Sequence, residues 1–301
     1  MIRPLVCLFL LPLLAAAAPR TEHVFIFSFD GGNPTYMQKA GMPNFQRLAA
    51  EGAHTFVANT IIPSKTLPSH TSMLTGVDIS KHGIDWNVLM PLKGPVKVPT
   101  IFELAKKANP ATSTAIFCGK IKFRHLWKPG TLDILDCDGP YDDTPVPATE
   151  EAKLVPAGTV AERAAAYILE KKPVLCFIHL PDGDTFGHKI GWGSPEQLKA
   201  FQDCDAALGK VLEAIDKAGL KDSSTLILTA DHGGREKNHF WPVSEDIHIP
   251  WVTWGKGVKK GHAIEKKTIM TYDTAATALW LLDVPLPPEF DGEPVEEAFE
   301  K

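Results

Sequence analysis

The sequence predicts an α/β fold, with a central, mostly parallel sheet and helices on both faces. Three observations carry that expectation. Strand-like runs alternate with helical patterns along the chain, the order expected when helical crossovers join parallel strands. Several of the strand runs, such as VLCFIHL at 174–180, are almost continuously apolar, as strands covered on both faces are. The composition, 44% hydrophobic and 22% charged over 301 residues, belongs to a folded globular protein and excludes disorder, collagen or a coiled coil.

Residues 1–17 read as a secretory signal peptide. Arg3 gives a basic start, Pro4 to Leu14 is apolar, and Ala15 to Ala18 supply a small-residue cleavage site. The apolar run is too short to span a bilayer, and Cys7 precedes any cleavage site, which argues against a lipoprotein. The mature chain is expected to be exported, periplasmic or secreted, with no membrane span after cleavage.

Residues 20–301 read as a single domain, because no repeat, low-complexity segment or long linker divides them. The first strand is expected at His23 to Phe29. A helix follows at Pro43 to Gly52, with proline just inside its start and glycine at its end. Further strands are expected at Thr114 to Phe117, Leu132 to Leu135, Val174 to Leu180, Thr225 to Thr229 and Ile249 to Trp254. Helical patterns occupy Thr100 to Ala108, Val160 to Lys171, Pro195 to Ala218 and Thr274 to Leu282. Net charge is −5 with no dense basic run, so no nucleic-acid-binding surface is expected. Beyond Cys7, four cysteines remain: Cys118, Cys137, Cys176 and Cys204. Their spacing fits neither a redox pair nor a zinc ribbon. Cys118 and Cys137 each close a strand-like run and are the expected disulfide, with buried thiols as the alternative.

Open α/β sheets bind ligands beyond the carboxyl ends of their strands, and three strands here end in metal-ligand residues. The first ends in Asp30. The strand at 174–180 runs into PDGDTFGH, containing Asp184 and His188. The strand at 225–229 runs into Asp231 and His232, with His239 seven residues later. Carboxylates mixed with imidazoles suit zinc or manganese, whereas calcium and magnesium call for more oxygen donors. Thr66, in PSKTLPSHTSMLTG, precedes a helical pattern. Its hydroxyl would lie near a helix N-terminus, where backbone N–H groups favour an anion such as phosphate. On local sequence alone an ordinary N-cap is the stronger reading, and the metal-ligand residues reverse that balance.

The ordered set FSFDGG, PSKTLPSHTSMLTG, HGIDWN, DTFGHKIGWGS and TADHGG, with the histidine that follows, resembles the alkaline phosphatase superfamily. Within it the chain is most similar to the nucleotide pyrophosphatase/phosphodiesterase branch, from about Phe25 to Phe299. The resemblance implies an alkaline-phosphatase-like fold and two divalent metal ions, Zn²⁺ or alternatively Mn²⁺. Asp184, His188 and His239 match the ligands of one ion; Asp30, Thr66, Asp231 and His232 match those of the other. Thr66 matches the nucleophile of a covalent phospho-threonine intermediate, and Asn87 the residue that holds a phosphate oxygen. Asp182 lacks the spacing of Asp184 to His188, and His248 is the rival to His239.

Two departures bear on substrate. Thr66-Leu-Pro-Ser-His70 lacks the Cys or Ser and the Arg of a sulfatase motif. The long insertion of larger phosphodiesterases is absent between His232 and His239. Lys122 and Arg124 are similar to a Lys-x-Arg pair that some phosphomonoesterases of the superfamily direct at a phosphate dianion. The expected activity is hydrolysis of small phosphodiesters or nucleotide pyrophosphates. A phosphomonoesterase using Lys122 and Arg124, a phosphoryl or phosphoethanolamine transferase, and a non-catalytic phosphate-binding protein are the alternatives.

Overall fold

Residues 20–137, 154–265 and 268–301 are described by a computed structural model; the expected signal peptide lies outside them. Among the described residues eight strands form one sheet: β1 (His23–Phe29), β2 (Ala53–Asn59), β3 (Thr114–Cys118), β4 (Ile134–Asp136), β5 (Leu175–Leu180), β6 (Ser224–Thr229), β7 (His248–Gly255) and β8 (His262–Ala263). Their order across the sheet is β4-β3-β5-β1-β6-β7-β2-β8. The run from β4 to β6 is parallel throughout. Only β7 runs against its neighbours, β6 and β2.

Why the sheet is covered twice is visible in β1. Successive strand residues point to opposite faces, and here both sets are apolar. Val24 and Ile26 enter one core with Leu67, Phe102, Phe177 and Leu279. Phe25, Phe27 and Phe29 enter another with Phe45, Ile168, Phe201 and Leu208. The helices in chain order are α1 (Pro34–Ala40), α2 (Pro43–Glu51), α3 (Thr66–Thr75), α4 (Ile79–His82), α5 (Ile101–Ala108), α6 (Ala157–Lys171), α7 (Asp182–Lys189), α8 (Pro195–Lys217), α9 (Ser244–Ile247) and α10 (Asp273–Leu281). Buried residues of α3, α5 and α10 supply the first core; those of α1, α2, α6 and α8 supply the second. The mostly parallel, two-sided α/β architecture is the one expected.

The expected disulfide is not present. Cys118, Cys137, Cys176 and Cys204 are buried thiols. Cys118 and Cys137 follow or end the paired strands β3 and β4 and interact as hydrogen-bonding thiols. Burial and the neighbouring Cys137 push the Cys118 thiol well up, which keeps it protonated and unreactive.

Candidate active site

The four central strands β3, β5, β1 and β6 are parallel neighbours, so their carboxyl ends share one edge of the sheet. Asp30 follows β1, Asp184 and His188 lie on α7 just after β5, and Asp231 and His232 follow β6. The topology therefore gathers residues far apart in sequence. His188 Nε2 lies 3.3 Å from Asp184 Oδ1 and 3.1 Å from His239 Nε2, and His239 Nε2 is 3.7 Å from Asp184 Oδ1. On the β1–β6 side, His232 Nε2 is 3.5 Å from Asp30 Oδ1 and 3.3 Å from Asp231 Oδ2. His232 also lies 3.9 Å from Asp184 Oδ1, so the two groups adjoin through it.

All three imidazoles present the same nitrogen inward. Nδ1 of His188 pairs with Lys237 O at 2.8 Å, that of His232 with Gly233 O at 2.8 Å, and that of His239 with Ser64 O at 2.5 Å. A carbonyl can only accept, so each Nδ1 carries the proton and each Nε2 keeps a lone pair, as metal-ligating histidines do. Four buried atoms converging here have no hydrogen bond among the described residues: Asp30 Oδ1, Asp184 Oδ1, Asp231 Oδ2 and His232 Nε2. Leaving such atoms unsatisfied costs free energy, which bound divalent cations would offset. Asp30 with Asp231 and His232, and Asp184 with His232 and His239, each bring ligand atoms within 4.8 Å of one another. The two groups share His232.

Electrostatics follow the same arrangement. Burial opposes ionisation of Asp30 and Asp184, but Lys120 overrides it and holds both carboxyls below the usual range. Burial and the charge of Asp30 push Asp231 the other way, well up. Burial, with His232 alongside, takes His239 down to about 3. Burial likewise lowers His232, whereas the Asp184 carboxylate beside it raises His188.

Thr66 opens α3 and is buried. It lines a cavity of about 620 Å³ together with Asn87, Lys120, Lys122, Asp184 and His188. Lys65, not Thr66, occupies the N-cap. Asn87 Oδ1 accepts from Leu67 N–H at 2.8 Å, which fixes the carboxamide and leaves its NH₂ as a donor. Lys122 Nζ donates to the Asn87 carbonyl at 2.8 Å.

Arg124 is not brought to this cavity. It lines a separate one with Leu89, His125 and Trp127. Lys122 and Arg124 share one 3₁₀ turn, Ile121–Leu126, and residues two apart on such a turn project in different directions. The rival residues also lie elsewhere in the structure. Asp182 Oδ2 accepts from Ala157 N–H at the start of α6 at 2.7 Å, and His248 opens β7 opposite Asn59.

Residues 24–256 of this chain match the type I phosphodiesterase/nucleotide pyrophosphatase family. The chain belongs to that family. Relatives at 26% identity include venom phosphodiesterase 2 of Crotalus adamanteus, over 71% of this chain and 27% of its own length. Human ectonucleotide pyrophosphatase/phosphodiesterase family member 5 is also 26% identical, over 71% of this chain and 45% of its own length. The chain thus spans between about a quarter and a half of these relatives, which are named as hydrolases. Among solved structures, murine ectonucleotide pyrophosphatase/phosphodiesterase 5, an inactive threonine-to-alanine form in complex with AMP, superposes with a TM-score of 0.71 at 17% identity. That match covers 93% of this chain and all of the other. A 2-O GAG sulfatase superposes with a TM-score of 0.71 at 14% identity, covering 91% and 73%. Both likenesses establish the shared fold.

Two residues of this candidate site were not singled out by sequence. Lys120 Nζ sits 2.7 Å from Asp30 Oδ2 and 2.6 Å from Asp184 Oδ2. Its signal was available: it follows Gly119 at the end of a strand, on the same edge as the acids. His179 lies inside β5. Gly119 N–H donates to its Nδ1 at 3.2 Å, so its Nε2–H donates to Asp30 Oδ2 at 2.7 Å. Nothing in an apolar strand distinguishes such a histidine from an ordinary core residue.

Proposed function

We propose that this chain is an exported hydrolase of small phosphodiesters or nucleotide pyrophosphates, with Thr66 as nucleophile. The observation that carries the reading is the convergence of Asp30, Asp184, Asp231 and His232 through four unsatisfied atoms beside the cavity that Thr66 lines. Asp30, Thr66, Asp231 and His232 would hold one divalent ion; Asp184, His188 and His239 would hold the other. Zinc suits this mixture of carboxylate and imidazole donors. When bound, two such ions supply positive charge to the attacking and leaving oxygens of an in-line displacement.

The chain's own residues provide the rest. The Thr66 hydroxyl gives its proton to solvent as Oγ attacks phosphorus; the leaving oxygen departs with the electron pair of its P–O bond and takes up a proton, and the substituted phosphoryl group stays on Thr66 as an ester. Water then attacks the same phosphorus and loses a proton, the P–Oγ bond breaks with its electron pair on Oγ, and Oγ takes up a proton to restore the hydroxyl. The Asn87 NH₂ donates to a non-bridging phosphate oxygen, whose negative charge the N-terminus of α3 also favours. Supporting the diesterase reading are the family itself and the AMP held by the murine relative. A dianionic monoester would call for more positive charge. Lys122 lines the cavity, but Arg124 does not, so the monoesterase alternative keeps only half of its proposed pair. Export is supported by the leader-like 1–17 pattern and by relatives named as venom and ecto enzymes. Among the described residues no helix is long and apolar enough to cross a membrane.

The test is kcat/KM for matched aryl diester and monoester substrates, on protein stripped by chelator and reloaded with Zn²⁺ or Mn²⁺. Metal-dependent preference for the diester is expected. Preference for the monoester would replace this reading with the phosphomonoesterase.

A further inference from the structure

Two carboxylates of the site are divided between different partners. Asp30 Oδ1 and Asp184 Oδ1 face imidazole Nε2 atoms and have no hydrogen bond. Asp30 Oδ2 and Asp184 Oδ2 are instead gripped by one ammonium, Lys120 Nζ, at 2.7 and 2.6 Å. His179 adds a second hydrogen bond to Asp30 Oδ2 at 2.7 Å. A carboxylate with one oxygen committed in this way presents a cation with a single oxygen. Zinc is content with few ligands in a near-tetrahedral arrangement, whereas oxygen-preferring ions take more donors and often both oxygens of a carboxylate.

We propose that Lys120 is a metal-selecting residue: by holding the outer oxygens of Asp30 and Asp184, it keeps both as single-oxygen ligands and favours zinc over manganese. It is a positioning residue, acting through two aspartates, and the inference rests on the two-ion reading of the site. Charge and positioning predict different outcomes. A nearby ammonium repels every divalent ion alike, so removing its charge strengthens all of them by a common factor. Releasing the two outer oxygens changes the ratio between ions, because only the ion of higher coordination number uses them.

The experiment is competition titration of chelator-stripped protein with Zn²⁺ and Mn²⁺, comparing wild type, Lys120→Met and Lys120→Arg. Lys120→Met is expected to lower the zinc-over-manganese affinity ratio by roughly tenfold or more, the scale of outer-shell effects on metal sites. Lys120→Arg, which keeps charge and donors, is expected to restore much of it. An unchanged ratio in Lys120→Met overturns the proposal, even if both affinities rise. X-ray absorption on zinc-loaded wild type provides a second readout that needs no variant. Near-tetrahedral zinc with single-oxygen carboxylates is expected; bidentate carboxylates would contradict it. Wild type that binds neither ion would instead remove the two-ion reading itself.

Discussion

The orientation of one amide decides what Asn87 can do. Its oxygen is committed to Leu67 N–H, so only the NH₂ remains for a phosphate oxygen. Asn87→Asp keeps an acceptor for Leu67 but turns the donor into a negatively charged acceptor. It should lower kcat/KM by about 10² or more while leaving the melting temperature near that of wild type; equal loss of both would assign Asn87 a structural role only. His82, away from the metal-ligand cluster, gives a second residue-scale prediction. Its Nδ1 accepts from Ile84 N–H at 3.0 Å, a bond that requires the neutral ring, and burial takes it down to about 4 from 6.5. Between those values the unfolded chain binds more protons than the folded one, so stability falls as pH drops from 6.5 towards 4. The contribution is about 3 kcal/mol. Urea midpoints across that range should show a shallower acid loss in His82→Gln than in wild type; parallel curves would rule His82 out. At this scale the acids and histidines of the candidate site could be read because they end strands or keep a distinctive spacing. His179 could not, since its role depends on the neighbouring strand that places Asp30 beside it.

The turn after β1 shows how an element positions a site. Gly31 has φ +69°, a conformation side chains rarely adopt, and a Cβ there would meet Asp184 Cα at 2.9 Å. Its N–H also donates to Asp231 Oδ1 at 3.1 Å. Gly31→Ala should therefore cost about 1–3 kcal/mol and lower metal content by displacing Asp184, measured by urea unfolding and elemental analysis. Normal metal content would show that the turn does not control the site. The apolar central strands were legible, β1 to its boundaries. The strand β2, AHTFVAN, was not: it mixes polar with apolar residues and is only partly buried, so neither a continuous nor an alternating pattern marks it. The helix α7 was also hidden, because DGDTFGHK carries two glycines and aspartates of low helix propensity. Its place is set by tertiary contacts, including Gly183 packed against Asp30 O and Phe201.

Across the whole molecule, both faces of the sheet hold a core, and the candidate site lies where four parallel strands end. The alternation of elements made this architecture readable, whereas the reversal of β7 needed the strand pairing itself. Three buried acids gather at one half-buried ammonium, Lys120, and their negative charge when ionised is one that divalent ions would offset. Chelation should lower the melting temperature, and Zn²⁺ should restore it, with a linkage contribution of about 2.7 kcal/mol at a hundredfold excess over Kd. A melting temperature indifferent to both treatments would argue against bound ions. The central claim, that Thr66 attacks the phosphorus of a diester, is tested most directly by kcat/KM of Thr66→Ala against wild type at matched metal content. Turnover should be abolished with metal content near normal; retention of most of the wild-type rate would contradict it.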